Sequence, residues 1–393
     1  MWAESKISNW GVCVLSGRKV IVGAILLVVF TFTATAGGFL YLLSGNSADV
    51  MSTLKFFRAL QIVTSKYIEP VPMETLVSGA VKGMVNSLGD PHSIYMDAKM
   101  YKEFMIETEG SFGGVGIVIG VKDKLLTVVS PIEGTPSEKA GIKSGDQIAK
   151  IDGKDSKEMA LDEAVSKIRG PEGSTVTLSI LRGSEPIKDY TLTRSSIQIK
   201  TVSGKMLPEQ IGYIRISMFN ENTGNDFIRK YHELEKEGMK AIVLDLRDNP
   251  GGLLQESVKV SGLLVPKGPV VSVVTKDGER EVYTSSLEAL KYPAAVLVNG
   301  GSASASEIVS GAIQDTGSGT LVGTKTYGKG SVQTVLGLDN GAIKLTIAKY
   351  LTPNDRSING VGIEPDIKVE MEKDEKKDLQ LEKAIQIVKE KIK

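Results

Sequence analysis

From Val20 to Leu43 the chain runs for 24 residues without a charge. As a helix this run is about 36 Å long, enough to cross a hydrocarbon layer of about 30 Å. It has two readings, a membrane anchor and a cleaved leader. Lys6, Arg18 and Lys19 precede it, and positive flanks of this kind keep a short N-terminal segment (1–19) in the cytoplasm. A leader would use Val20–Thr33 as its apolar region and Ala34-Thr35-Ala36 as a small-x-small cleavage site. Apolar residues resume at Phe39–Leu43, which favours an uncleaved, single-pass anchor over 20–43. Both readings export the rest of the chain; the alternative to an anchored protein is one secreted after cleavage near Ala36.

At 393 residues the chain exceeds one small core, and two or three folded units are expected. Its 47 basic and 47 acidic residues are interspersed outside the tail, so no net field draws it to nucleic acid. The single cysteine, Cys13, sits in Gly-Val-Cys-Val; it rules out an internal disulfide framework and reads as an incidental thiol.

The hydrophobic pattern changes character along the exported part. Residues 45–109 read as helical: Leu54, Phe57, Leu60, Ile62 and Val63, then Leu76, Val81, Met84 and Leu88, recur near helical spacing until Gly89-Asp90-Pro91 breaks the run. This segment is expected to pack or to dimerise. Residues 110–198 turn β-rich, with a glycine turn Gly113-Gly114-Val115-Gly116-Ile117 feeding an apolar strand, a second strand at Leu125–Val129, the string GIKSGDQIAKIDG and a helix Leu161–Arg169. The loop and the string resemble those of a PDZ domain. A terminal carboxylate needs several backbone N–H groups converging on it, and glycines let the backbone curl that closely. The resemblance implies that residues 113–117 bind a peptide C-terminus and that the peptide adds as a strand beside Ile117–Ile119. Arg169, at the helix end, reads as a helix-terminal cation, or as a contact to the neighbouring unit that gates it.

Residues 199–370 read as α/β, with strands at Gly212–Ile216, Ala241–Leu246, Val270–Val274, Ala295–Val298, Thr320–Val322, Ser331–Leu336 and Ile343–Ala348 and helices at Thr223–Glu237, Leu253–Leu264 and Ser304–Gln314. Residues 371–393 carry an amphipathic helix (Leu379, Leu381, Ala384, Ile385, Ile387, Val388) expected to pack on a partner or on the body. The fold class is therefore α/β multidomain: a membrane helix, a helical segment, and a PDZ-like β-rich domain ahead of an α/β core.

Two segments of the core carry chemistry. In VLVNGGSASASEI a strand ends in Asn299-Gly300-Gly301 and a helix begins at Ser304, where free N–H groups and the helix dipole favour a developing oxyanion. The same residues are an S-x-x-E capping box, Ser304 to Glu307, and three serines at alternate positions leave the nucleophile ambiguous. In TYGKGSVQ, Lys329 lies in a glycine-rich loop. To take a serine's proton near pH 7 it must lose about three units from about 10.4, roughly 4 kcal/mol. An apolar pocket and the positive helix end both push that way, and Gln333 is placed to orient it if the chain bends at Gly330. The turn Asp248-Asn249-Pro250-Gly251-Gly252 either presents amides to an oxyanion or simply enters the next helix.

AIVLDLRDNPGG, VLVNGGSASASEI, TYGKGSVQ and GVGIEPDI, in this order after a PDZ-like segment and with DPHSIYM near Asp90, resemble the C-terminal processing peptidase (tail-specific protease) family over roughly residues 50–370. The resemblance implies a serine endopeptidase with a Ser–Lys dyad: Ser304 as nucleophile, Lys329 as base, Gln333 as its orienting residue, and the amides of Ala305 and the Gly251-Gly252 turn as oxyanion donors. It implies no metal or other cofactor, protein or peptide substrates chosen by a free, apolar C-terminus through the PDZ groove, gating by that domain, and an α/β serine protease core; a homodimer is an open expectation.

Rival readings are weaker. Gly323–Gly330 is one residue short of a phosphate-binding loop and leads into a strand. Ser52-Thr53-Leu54-Lys55 is S-x-x-K without a K-T-G partner. His92 and His232 read as structural. A non-catalytic exported scaffold that captures protein tails would lack a reason to keep both Ser304 and Lys329. Substrate identity, trimming against degradation, oligomeric state and activation trigger do not follow from the sequence.

Overall fold

The computed structural model describes residues 17–44, 47–122, 125–371 and 377–392. Lys6 and Cys13 lie outside the described residues. The chain divides into two compact units, 1–83 and 84–393.

In the first unit α1 (Gly17–Ser44) carries the uncharged run, and α2 (Ser47–Lys66) follows. The window Ile21–Gly38 is long and apolar enough to cross a membrane. The apolar side chains of α2, among them Leu54, Phe57, Ile62 and Val63, are exposed. α3 (Met73–Asn86) runs across the boundary between the units.

The second unit opens with the Asp90 turn and β1 (Ile94–Met96), a strand inside the segment read as helical. α4 (Ala98–Glu109) follows, started by the Asp97 carboxylate on the Met100 N–H and ended by Gly110 in the left-handed region. A β-rich domain comes next, built from β2 (Ser111–Gly114), β3 (Ile117–Lys122), β4 (Leu125–Pro131), α5 (Pro136–Lys139), β5 (Gln147–Ile151), β6 (Lys154–Asp155), α6 (Leu161–Ile168), β7 (Thr175–Leu181), β8 (Lys188–Thr193) and β9 (Ser195–Gln198). Its main sheet has the order β3-β4-β5-β7-β8, so β3 is an edge with one side unpaired. The core buries Val115, Ile148, Ile151, Ala164, Ile168 and Leu178. β2 and β9, the entry and exit strands, pair with each other from Ser111↔Gln198 to Gly114↔Ser195.

The α/β core is a six-stranded sheet of β10 (Val202–Leu207), β11 (Ile211–Ile216), β12 (Ala241–Asp245), β15 (Ala294–Val298), β16 (Thr320–Gly323) and β19 (Ile367–Lys368), parallel except at β10. β12 and β15 are buried along their whole length, as uninterrupted apolar runs in a sheet covered on both faces should be. Alternation divides them between two cores. Ile242, Leu244, Val296 and Val298 face the helices α7 (Thr223–Lys236), α8 (Leu254–Ser261) and α9 (Ala305–Asp315). Ala241, Val243, Ala295 and Leu297 face α10 (Leu379–Lys391) through Ala384, Ile387 and Val388. The C-terminal amphipathic run thus packs on the body. A second sheet of β13 (Gly268–Thr275), β14 (Arg280–Ser285), β17 (Ser331–Leu338) and β18 (Gly341–Leu351) takes β1 as its edge, pairing Ile94 with Lys344.

Candidate active site

The carboxyl ends of β12, β15 and β16 carry three loops to one place, where open parallel sheets bind ligands. The turn after β12 is Asp248–Gly252, the turn after β15 ends at Ser304, and the loop after β16 carries Lys329. Asn299 joins the first two, its Oδ1 accepting from Asp248 N–H at 2.9 Å and its Nδ2 donating to Asp248 Oδ1 at 2.8 Å.

The three serines have different surroundings. Ser302 and Ser306 are fully buried and committed: Ser302 Oγ donates to Leu246 O at 2.8 Å and Ser306 Oγ to Asn249 O at 2.9 Å. Ser304 is partly open and sits at φ 52°, ψ −113°, a backbone conformation that costs a non-glycine residue about 1–3 kcal/mol. Its capping box forms, with Ser304 N–H donating to Glu307 Oε2 at 2.9 Å.

Glu307 does more than cap. It is fully buried, and Lys329 N–H donates to the same oxygen at 2.9 Å, while Gly328 N–H at 2.7 Å and Thr326 Oγ1 at 2.5 Å reach the other oxygen. Two amides on one oxygen hold their nitrogens within twice a hydrogen-bond length, so Glu307 clamps the serine turn against the lysine loop. Buried Tyr350 adds a second clamp: its hydroxyl lies 3.1 Å from Ser304 O and 2.6 Å from Lys329 O. The sequence signal for Glu307 was present in S-x-x-E but read only as a cap; Tyr350 gave no local signal.

Lys329 is half-buried. Its ammonium is pushed down from 10.5 to about 8, first by burial and then by the positive charge of Lys344, with Asp90 and Glu307 acting the other way. Lys344, itself lowered by burial, sits with Nζ 5.1 Å from the Phe104 ring centre. A cavity of about 700 Å³ opens beside the loop, lined by Asp90, His92, Ser93, Tyr327, Gly328 and Thr346 among others. His92, in its turn, therefore lines the cavity, and burial together with Lys329 lowers its pKa. Gln333 does not bond Lys329: its Nε2 donates to Ser331 Oγ at 2.8 Å and to Thr346 Oγ1 at 3.1 Å.

The glycine turn comes directly against Ser304. A Cβ on Gly251 would fall 2.7 Å from Ser304 Cβ and 2.9 Å from Ala305 N, and Gly251 has φ +99°. The Gly251 N–H, however, donates to Asn249 Oδ1 at 2.9 Å, which takes it out of the set of free donors expected from the sequence. Gly252 N–H and Ala305 N–H, the first amide of α9, carry no such bond. In the β-rich domain, Gly113 and Gly114 lie in the β2–β9 ladder, and Gly113 O accepts from Gly170 N–H at 3.0 Å. Val115 is buried, and the turn is made at Gly116 (φ +76°), with Ile117 opening edge strand β3. Arg169 is the C-cap residue of α6, its N–H donating to Val165 O at 2.9 Å, but its side chain does not bond the last carbonyls of the helix. Arg194 does that, donating to Lys167 O and Ile168 O at 2.8 Å each, while the Arg169 guanidinium lies 4.1 Å from the Phe112 ring centre.

Comparison with known proteins meets this geometry. Residues 210–369 match Peptidase family S41, residues 103–181 match the PDZ domain, and residues 44–100 match the N-terminal domain of the activating protease CtpB. The chain is 41% identical to the carboxy-terminal processing protease CtpA of Bacillus subtilis, over 81% of this chain and 69% of that one. It is 42% identical to a carboxy-terminal-processing protease of Bartonella bacilliformis (82% and 76% covered) and 37% identical to a probable CtpA-like serine protease of Staphylococcus aureus (92% and 73%). The chain belongs to the S41 peptidase family. It is a carboxy-terminal processing protease of that family, a serine-type peptidase with a PDZ domain. The expected order of apolar helix, helical segment, PDZ domain and protease core holds along this S41 peptidase.

Proposed function

We propose that this S41 peptidase cuts peptide bonds with a Ser304–Lys329 dyad and selects exported proteins by their free, apolar C-terminus. The observation that carries the reading is the buried Glu307, which holds the strained Ser304 and the depressed Lys329 on one carboxylate oxygen. Neutral Lys329 takes the Ser304 proton as Oγ attacks the carbonyl. The oxyanion forms at the start of α9, where Ala305 N–H and the Gly252 end of the turn supply donors. The lysine ammonium then gives its proton to the leaving amine. Neutral again, it takes a proton from the water that attacks the ester and returns it to Ser304 Oγ as the C–O bond breaks, so the acid product leaves with Ser304 and Lys329 as they began.

Selection rests on the edge strand β3 facing α6, where an extended peptide tail adds its backbone and the Val115–Ile117 turn presents amides to the carboxylate. The stacked Phe112–Arg169 pair on entry strand β2 is the element that senses occupancy. Residues 110–198 act as the PDZ unit, 199–370 as the protease core and 371–393 as its closing helix. Residues 20–43 anchor the protein in the cell membrane with the protease outside, and the exposed apolar residues of α2 and α3 meet a second copy in a homodimer.

The test uses the full chain in detergent with an unfolded protein ending in apolar residues, fragments being read by mass spectrometry. Cleavage by the parent and none by Ser304→Ala or Lys329→Ala is the expected result. Equal cleavage by parent and variants overturns the dyad, and indifference to amidation of the substrate's C-terminus overturns the selection.

A further inference from the structure

The geometry points to Asp90 as a positioning residue that fixes the side-chain amide of Gln333 and, through it, the base Lys329. This rests on the dyad reading above and gives a role to the DPHS segment, which that reading leaves unused.

Asp90 accepts three hydrogen bonds: His92 N–H on Oδ1 at 3.0 Å, and Ser93 Oγ and Thr346 Oγ1 on Oδ2, each at 2.6 Å. Burial pushes its pKa up, but these donors together outweigh it and hold it below the usual carboxylate range, so it is ionised and purely an acceptor near neutral pH. The Thr346 hydroxyl must therefore spend its only proton on Asp90. That leaves the Thr346 oxygen as an acceptor, so the Gln333 atom 3.1 Å from it is the nitrogen. The second Gln333 N–H goes to Ser331 Oγ at 2.8 Å. With both amide protons spent, Gln333 keeps only its Oε1 as an acceptor; it is not bonded to Lys329 here, and the dyad reading brings the lysine ammonium to it during the reaction. The register between β1 and β18, together with Thr346 N–H donating to Ser93 Oγ at 3.0 Å, pins the Asp90 turn to β18 across 256 residues of sequence. Asp90 touches neither substrate nor reacting atoms in this scheme. It sets polarity: an Asn in its place can donate to Thr346, which can then donate to Gln333 and reverse the amide, turning N–H toward the lysine.

The experiment measures kcat and KM on a fluorogenic peptide with the full-length enzyme, for Asp90→Asn, Gln333→Ala, the double variant, Thr346→Val and Thr346→Ser. The expected kcat loss for Asp90→Asn is about ten- to a hundredfold, the worth of one hydrogen bond to a charged group. KM stays unchanged, and the double variant loses no more than Gln333→Ala alone. Thr346→Val loses a similar factor, and Thr346→Ser recovers most of it. If Asp90→Asn melts early, the Thr346 pair decides, since it leaves the Asp90 charge in place. Parent kcat in Asp90→Asn, or losses that multiply in the double variant, overturn the proposal while Ser304→Ala and Lys329→Ala stay inactive. Activity in those two would instead remove the dyad on which it stands.

Discussion

The sharpest consequence of the site is its pH dependence. As the base of the proposed dyad, Lys329 would act only when neutral, and with a pKa near 8 it is neutral in about 9% of molecules at pH 7, about half at pH 8 and about 91% at pH 9. The rate constant kcat/KM, which reports the free enzyme, should therefore climb close to tenfold per unit below pH 8 and level off above it. The perturbation is Lys344→Met. Lys344 supplies the largest charge pressing on Lys329, after burial itself. Met keeps an apolar stem against Phe104, so burial persists while the charge goes. The midpoint should move up from about 8 but stop short of 10.5, because burial, the larger cause, stays; activity at pH 7 should fall with little change above pH 10. The full displacement corresponds to about 3 kcal/mol, less once solvent screening of a half-buried group is allowed for. Its sign for folding follows too: the unfolded chain binds more protons between pH 8 and 10.5, so this group's penalty is fully present below pH 8 and is relieved as pH rises through that window. Initial rates on a fluorogenic peptide from pH 6 to 10, for parent and Lys344→Met, are sufficient. A flat parent profile, or a variant midpoint that stays or falls, would refute the reasoning.

Two further substitutions probe the scaffold. Gly251→Ala puts a methyl 2.7 Å from both Ala303 O and Ser304 Cβ at a φ of +99°, so kcat should drop more than tenfold with about 1–3 kcal/mol of lost stability, read by peptide turnover and thermal melting. Glu307→Gln keeps the shape but offers N–H where donors already converge, leaving buried amides unmatched; about 2–4 kcal/mol of stability and nearly all activity should go, and an unchanged melting temperature would count against the clamp.

The scaffold was legible where one local rule decided it. Ala241–Leu246 and Ala295–Val298 are apolar throughout because both faces of the parallel sheet are covered, and the helix after Ser304 announced itself by its cap. Arg280–Ser285 was missed: Arg-Glu-Val-Tyr-Thr-Ser lies at a sheet edge, mostly exposed, and carries no apolar run. So was Ile94–Met96, which is a strand only because β18 accepts it. The choice among Ser302, Ser304 and Ser306 could not be made from spacing, since what separates them is which hydroxyl finds a carbonyl at Leu246 or Asn249, some 56 residues upstream. Arg194 could not be read for the same reason: Arg169 is the cation that adjoins the helix in sequence, but Arg194 reaches the helix's last carbonyls from the link between β8 and β9.

Under the proposed mechanism, the order of the chain gives the PDZ domain a route to Lys329. β1 belongs to the protease sheet, and α4 leads from it straight into β2. β9 pairs back on β2 before the chain enters β10 of the core sheet, and Ile199 N–H closes onto Gly110 O at 2.8 Å. The PDZ domain thus hangs from a stalk whose two strands bond each other and whose two ends are built into the protease. On the stalk, Phe112 carries Arg169; on the helix feeding it, Phe104 faces Lys344 and Glu107 favours the Lys344 charge that lowers Lys329. A shift of α4 changes the surroundings of Lys344, and a change there acts on Lys329 by charge alone. Coupling of this kind requires no contact between a bound tail and the dyad, only that the stalk have two positions.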